Sequence, residues 1–182
     1  MTPVRDLSAF QTERLSAERL RPDHLDVFCR MHANETVMTW MGGTRSRDET
    51  VAYMGRNLAH WDEYGYGIWL LRDRATGTFA GRGGLRNAVF EGRPEIEVAY
   101  ALLPEFWGQG LATEYARALL RIGHGDLGSP ALVAITRPDN AASRRVLEKT
   151  GFRYERNVLH QEATHWLFRH RADEREPANG DA

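Results

Sequence analysis

At 182 residues, 42% of them hydrophobic and 27% charged, the chain has room for one domain with a sizeable core and the composition of an ordinary soluble protein. A net charge of −1 speaks against a nucleic-acid binder that relies on a basic surface. The lone Cys29 permits no internal disulfide, no apolar run nears the roughly 20 residues of a membrane span, and MTPVRDLSAF has no secretion-signal core, so a cytoplasmic location is expected.

In chain order, Glu13–Leu20 reads as an edge or second-layer strand. Pro22 and Asp23 open a helix of about ten residues, with Leu25, Phe28 and Met31 as its apolar stripe. Asn34–Thr44 reads as irregular. Ser46 caps a second helix, Glu49 completes the capping box, and Val51, Met54, Leu58 and Trp61 are expected to face inward before the stop at Gly65. Ile68–Arg72 and Phe79–Ala88 read as strands joined by the turn Asp73–Gly77, with Gly81, Gly83 and Gly84 marking a close backbone approach or a bulge. Ile96–Leu103 is an apolar strand with Glu97 inside it, ended by Pro104.

After the turn Trp107-Gly108-Gln109-Gly110-Leu111-Ala112, a helix runs from Thr113 to about Ile122. Gly123–Pro130 breaks it, and Ala131–Thr136 reads as a second buried, parallel strand. Arg137-Pro138-Asp139-Asn140 turns the chain into a helix over Ala141–Lys149, with Gly151 placed as its left-handed cap. Phe152–Val158 and His165–Arg169 alternate as a closing hairpin. Residues 171–182 carry no apolar anchor and are expected to be disordered.

The chain is organised around Glu95–Tyr115. A strand, a glycine turn and a helix N-terminus gather unpaired backbone N–H groups around an anion. Gly108 and Gly110 let the main chain curl and let a diphosphate approach without meeting a Cβ. A nucleoside-triphosphate loop needs Lys and Ser or Thr after its last glycine, where Leu111 and Ala112 stand. A dinucleotide turn needs Gly or Ala where Thr113 stands.

The stretch instead resembles the acyl-coenzyme-A loop of the GNAT superfamily of N-acetyltransferases, Q/R-x-x-G-x-G/A. Trp107 in the first place departs from that pattern and resembles the branch of RimJ/RimL-type ribosomal-protein N-terminal acetyltransferases. A second block, Asn140-Ala-Ala-Ser143-Arg-Arg145-Val-Leu-Glu148-Lys149-Thr-Gly151-Phe152, is similar to that branch's N-x-x-S-x-R-V-L-E-K-x-G-F ending. The resemblance runs from Thr12 to Arg169.

The order of elements reads as a mixed α/β layer fold. The resemblance makes it a GNAT fold: a central mixed sheet of about seven strands flanked by four helices, splayed between the fourth and fifth strands. It implies a single domain over residues 1–170. The activity implied is transfer of acetyl from acetyl-CoA to a primary amine, on a protein N-terminus or a small molecule, by direct attack in a ternary complex. The alternative is an acyl-CoA-binding sensor without catalysis. No metal is implied, the histidines being scattered. Neither nucleic acid nor membrane is an expected partner, and a homodimer is left open.

Attack by an amine needs a group to take its proton, and a carboxylate inside an apolar strand suits that task. Glu97 is the candidate base, with Glu95, of the same strand parity, behind it. The competing reading places Glu97 on the solvent face or pairs it with Arg82 or Arg86. Gly108, Gln109, Gly110, Leu111, Ala112 and Thr113 would cradle the diphosphate with their N–H groups, beside Trp107. Ala101, Leu102 and Leu103 would offer main-chain groups to the pantetheine amides.

Asn140 suits an amide-bearing arm or a helix cap, and the two roles can coexist. Many superfamily members carry on this helix a Tyr that protonates the thiolate. Leu147 holds that place, so the resemblance makes Ser143 the donor or thiolate stabiliser. The acceptor pocket would involve Trp40, Tyr66 and Trp69, with Trp61 in the core. Since no acidic cluster stands out, an uncharged or weakly charged acceptor end is expected.

Overall fold

In the computed structural model, which describes residues 6–173, the chain runs β1 (Ala9–Gln11), β2 (Leu15–Arg19), α1 (Leu25–His32), α2 (Glu35–Met38), α3 (Arg47–Tyr64), β3 (Ile68–Asp73), β4 (Phe79–Phe90), β5 (Arg93–Leu102), α4 (Leu111–Arg121), β6 (Ala131–Thr136), α5 (Ala141–Lys149), β7 (Arg153–His160) and β8 (Ala163–Arg171). The strands form one open mixed sheet in the order β1-β2-β3-β4-β5-β6-β8-β7. β5 and β6 pair in parallel, whereas β6 and β8 pair antiparallel.

The architecture is the expected mixed α/β one, with two corrections. Among the described residues there are eight strands, because β1 pairs with β2 at one edge. The same residues form five helices, because the stretch read as irregular forms the short α2, whose first turn is closed by Asn34 Oδ1 accepting from Val37 N–H at 3.1 Å. One helical turn is too short to show a periodicity, and only its cap could have marked it.

The chain packs as two compact units, one running through Arg86 and adding Ala99–Ala112, the other formed by Asn87–Val98 and the chain from Thr113 on. In the first, Ser46 and Glu49 close the expected capping box on α3, and Gly65 ends that helix at φ 72°. The buried residues of α3 include Thr50, Tyr53, Met54, Asn57 and Trp61, while Val51 is 48% exposed. A helix turns about 100° per residue, so a face centred on Tyr53 and Met54 leaves Val51 outside.

Trp69 is fully buried, donates its indole N–H to Leu7 O at 2.8 Å, and meets Phe10 and Trp61 edge-on at 5.3 and 5.0 Å. Burying such a side chain contributes about 2–3 kcal/mol. The glycines of β4 mark close approach: a Cβ on Gly84 would lie 2.0 Å from Gly67 O, and one on Gly81 would lie 2.2 Å from Ala101 O.

In the second unit, Phe90, Val133, Val158 and Leu167 form an apolar cluster on which Ala88 and Ile135 pack. The β7–β8 turn places Gln161 and Glu162 at φ 48° and 60°, the mirror-image turn that matches strand twist. The expected break at Gly123 is instead a π-helical turn, Ile122–Asp126. A Cβ on Gly123 would meet Leu132 Cδ1 at 2.5 Å, so a larger residue there would have to displace that buried side chain. Of the expected tail, Arg171 ends β8 and Ala172 N–H bonds Pro130 O at 3.0 Å; residues 174–182 lie outside the described residues.

Candidate active site

The turn after β5 is built from local bonds. Pro104–Phe106 forms one 3-10 turn, with Phe106 N–H on Leu103 O and Trp107 N–H on Pro104 O, each at 3.0 Å. The Trp107 indole N–H reaches back to Leu102 O at 2.8 Å, so the residue that departs from the loop pattern ties the turn to its strand. Gly108 and Gly110 sit at φ 73° and 77°, where L side chains are strained. A Cβ on Gly108 would meet nothing within 4 Å, and one on Gly110 would meet only the end of Arg14, at 3.6 Å.

Arg14 is the residue that sequence reasoning missed. Its Nη1 donates to Gln109 O at 2.8 Å across 95 positions of chain. A trans peptide sets its N–H opposite its C=O, so this bond turns the Gly110 N–H away from Arg14. Gln109 Nε2 bonds Glu105 O at 2.8 Å and holds the turn from within. α4 begins at Leu111, and the first N–H groups of a helix have no acceptor inside it. An open glycine turn, an oriented peptide and a helix start suit phosphate oxygens.

At the end of β5, Leu103 N–H bonds Ala80 O on β4 at 2.9 Å. This corrects one expectation: the Leu103 N–H is already occupied and is not available to a pantetheine amide. Successive strand residues aim their main-chain groups at opposite edges, so Leu102 faces away from β4, but its carbonyl already accepts the Trp107 indole N–H, which leaves its N–H for such an added strand. Ala101 O is the atom that a Cβ on Gly81 would meet at 2.2 Å, which places Ala101 against β4.

In the second unit, Asn140 takes its cap role: its Oδ1 accepts the Ser143 N–H at 3.1 Å at the start of α5. The Asn140 amide N–H groups remain without a hydrogen bond among the described residues. Ser143 and Thr113 are half-buried, and Leu147 lies in the core at 1% exposure. Glu97 is buried, 4% exposed, and stands opposite Val133 in the β5–β6 register.

Glu95 is committed elsewhere. Arg169 grips its carboxylate at 3.0 and 2.6 Å and also pairs with Glu155. These two carboxylates hold the Arg169 pKa well above its ordinary value, the Glu95 hydrogen bonds contributing most. Arg82 lies over the Tyr53 ring, its guanidinium carbon 5.0 Å from the centroid.

Of the residues expected at the acceptor, Trp40 is half-buried and Tyr66 is 8% exposed beside His60. Trp69 is corrected to a core residue. β3 is flanked by β2 and β4, and that inner position buries the indole and engages its only donor. Among the described residues no group of three or more His, Cys, Asp or Glu could hold a metal ion, and no helix is long and apolar enough to cross a membrane.

Known proteins resemble this chain in sequence and in fold. YkkB of Bacillus subtilis is 30% identical over 136 residues, covering 75% of this chain and 79% of that protein. The N-acetyltransferase YoaA of the same organism is 25% identical over 85% of this chain and 89% of its own length. Among solved structures, a GnaT-family acetyltransferase from Bordetella pertussis superposes with a TM-score of 0.77 at 25% identity, covering 88% of this chain and 98% of that one. The fold is shared with RimL in complex with coenzyme A, at a TM-score of 0.73, 19% identity and coverage of 91% and 98%. It is shared also with Mycobacterium smegmatis RimJ in complex with a CoA-disulfide, at 0.76, 18% identity and coverage of 95% and 91%. GNAT acetyltransferases use acetyl-CoA. Residues 14–153 match the model described as the acetyltransferase (GNAT) domain, and the chain belongs to this family as an N-acetyltransferase.

Proposed function

We propose that the chain moves an acetyl group from acetyl-CoA to a primary amine, on a small molecule or a protein N-terminus, by direct attack in a ternary complex. The observation that carries this reading is the turn at Gly108 and Gly110, left-handed at both glycines, open on the Cβ side of Gly108, and oriented by Arg14. Gly108–Thr113 hold the diphosphate through main-chain N–H groups, and Leu102, its carbonyl held by Trp107, offers its main-chain N–H to the pantetheine. The Asn140 amide donates to that arm while its oxygen caps α5. When bound, acetyl-CoA supplies an activated acyl carbon.

Glu97 takes the proton of the attacking amine through a water. Its burial keeps competing solvent away. Ser143 presents its hydroxyl to the leaving sulfur.

The test is thiol release from acetyl-CoA across N-terminal peptides and small amines, with Glu97→Gln and Ser143→Ala beside the wild type. Glu97→Gln should lose about 100-fold in rate, the low end for a positioned base. Acetyl-CoA affinity should be unchanged. An N-terminal amine has a pKa of about 8 and deprotonates unaided at higher pH, so the loss should shrink there. Ser143→Ala should lose rate with far less alkaline rescue. A Glu97→Gln enzyme of wild-type rate at every pH would remove Glu97 from the mechanism.

A further inference from the structure

Two arginines of the first unit share one aromatic ring. The guanidinium carbons of Arg45 and Arg82 lie 5.2 and 5.0 Å from the Tyr53 ring centroid. Arg82, on β4, is 6% exposed. Its Nη2 meets Met41 Sδ at 3.1 Å, a weak acceptor, and its Nε has no hydrogen-bond partner. Tyr53 Oη, also buried, has none either. Arg45 reaches His32 Nε2 at 3.4 Å and Met41 O at 3.5 Å, both neutral acceptors. Among the described residues, neither guanidinium hydrogen-bonds or ion-pairs directly with a carboxylate; the exposed Glu49 acts on Arg45 only electrostatically, its own carboxylate accepting the Ser46 N–H.

The surroundings are arranged to tolerate these charges without cancelling them. Burial, and then the charges of Arg82 and Arg45, push the His32 pKa down to about 3, so the ring is neutral. The Thr50 hydroxyl donates to Ser46 O at 2.9 Å and meets His32 Nδ1 at 3.1 Å. It therefore accepts the Nδ1 proton, which leaves the Nε2 lone pair for Arg45. Two guanidinium groups are always charged, and burying cations without a counter-ion is costly. The missing charge has a way in: Arg45 and Met41 are half-exposed, and Gly42, Gly43 and Thr44 between them are exposed. Arg82 is also two residues along β4 from Ala80, which bonds Leu103 beside the proposed pantetheine strand.

We propose that Arg45, Arg82 and Tyr53 Oη form an oxyanion subsite for the acceptor, which is a small amine that also carries a carboxylate or phosphate group. This rests on the acetyltransferase reading above and goes further by naming what the acceptor bears besides its amine. It replaces the uncharged acceptor end expected from the sequence. Guanidinium forks bind carboxylate and phosphate in two-point fashion, and the same charges repel polyamines.

The test uses acceptors matched in all but the anion: α-amino acids against their amides, and a phosphorylated amino alcohol against the amino alcohol. At saturating acetyl-CoA, wild type should prefer the anionic member by about 30-fold or more in kcat/KM. The pair with the larger preference identifies the oxyanion. Arg82→Leu and the half-exposed Arg45→Gln should erase most of that preference, chiefly through KM. A merely structural role would slow both members together and leave the ratio intact.

A second readout needs no turnover. With the glycine turn filled by saturating CoA, inorganic phosphate or acetate at constant ionic strength should raise the Tm of wild type and not of Arg45→Gln. Equal use of both members by wild type, or no anion-dependent shift, overturns the subsite and leaves the acetyltransferase reading standing. That reading fails separately if acetyl-CoA itself neither binds nor releases thiol.

Discussion

Gly108→Leu compared with Gly77→Leu isolates what the glycine turn does for the cofactor. The two glycines are matched: φ is 73° at Gly108 and 71° at Gly77, and a Cβ at either would meet nothing within 4 Å. Holding an L residue in this region costs about 1–2 kcal/mol. For a chain of this size each kcal/mol lowers Tm by about 2–4 °C, so both variants should melt about 2–8 °C below wild type. Only Gly108 lies in the turn proposed to receive the diphosphate. Its new side chain enters open space in the free protein and would meet a bound anion there.

Titration with acetyl-CoA, followed calorimetrically or by thermal shift, should show at least a tenfold weaker dissociation constant for Gly108→Leu, a loss of about 1.4 kcal/mol. Gly77→Leu should bind as wild type does. Unchanged binding by Gly108→Leu would refute the backbone cradle. Equal losses in both variants would mean that strain in the fold, and not the site, had been measured.

Two further outcomes follow from the ion pairs and the histidine. Glu95→Gln should cost about 2–3 kcal/mol in urea unfolding, because it strips one partner from Arg169, whose side chain is 13% exposed. It should alter turnover little, and a rate loss matching that of Glu97→Gln would make Glu95 the base. His32 titrates near 6.5 when unfolded and about 3 when folded, so between those values the unfolded chain binds more protons. Its contribution is full above pH 6.5 and is lost as pH falls, by about 2 kcal/mol between pH 7 and 5. His32→Gln, which can still donate at one end and accept at the other, should flatten that acid limb, and equal slopes for variant and wild type would refute the assignment.

The features legible in the sequence are those that depend on a few neighbouring residues. Ser46 and Glu49 close their capping box, Gly65 ends α3, and Gly108 and Gly110 take left-handed φ because caps and turns are fixed by local backbone geometry. Asn140 on Ser143 N–H is another bond across three residues. The glycine turn and the Asn140–Phe152 block were for the same reason readable as a family resemblance. What the sequence left open is which distant groups meet.

Trp69 became core because β2 and β4 flank its strand, and α3 turned Thr50 and Tyr53 inward in place of Val51 to meet its neighbours. Arg14 reaches Gln109 across 95 residues and Arg169 reaches Glu95 across 74, and no spacing rule encodes either contact. From the sequence Arg82 is weighed only as a partner for Glu97, and nothing singles out Arg45. Only the packing of α1, α3 and β4 around Tyr53 brings them together without a directly bonded carboxylate, because propensity and pattern fix each residue's backbone while tertiary contacts choose its partners.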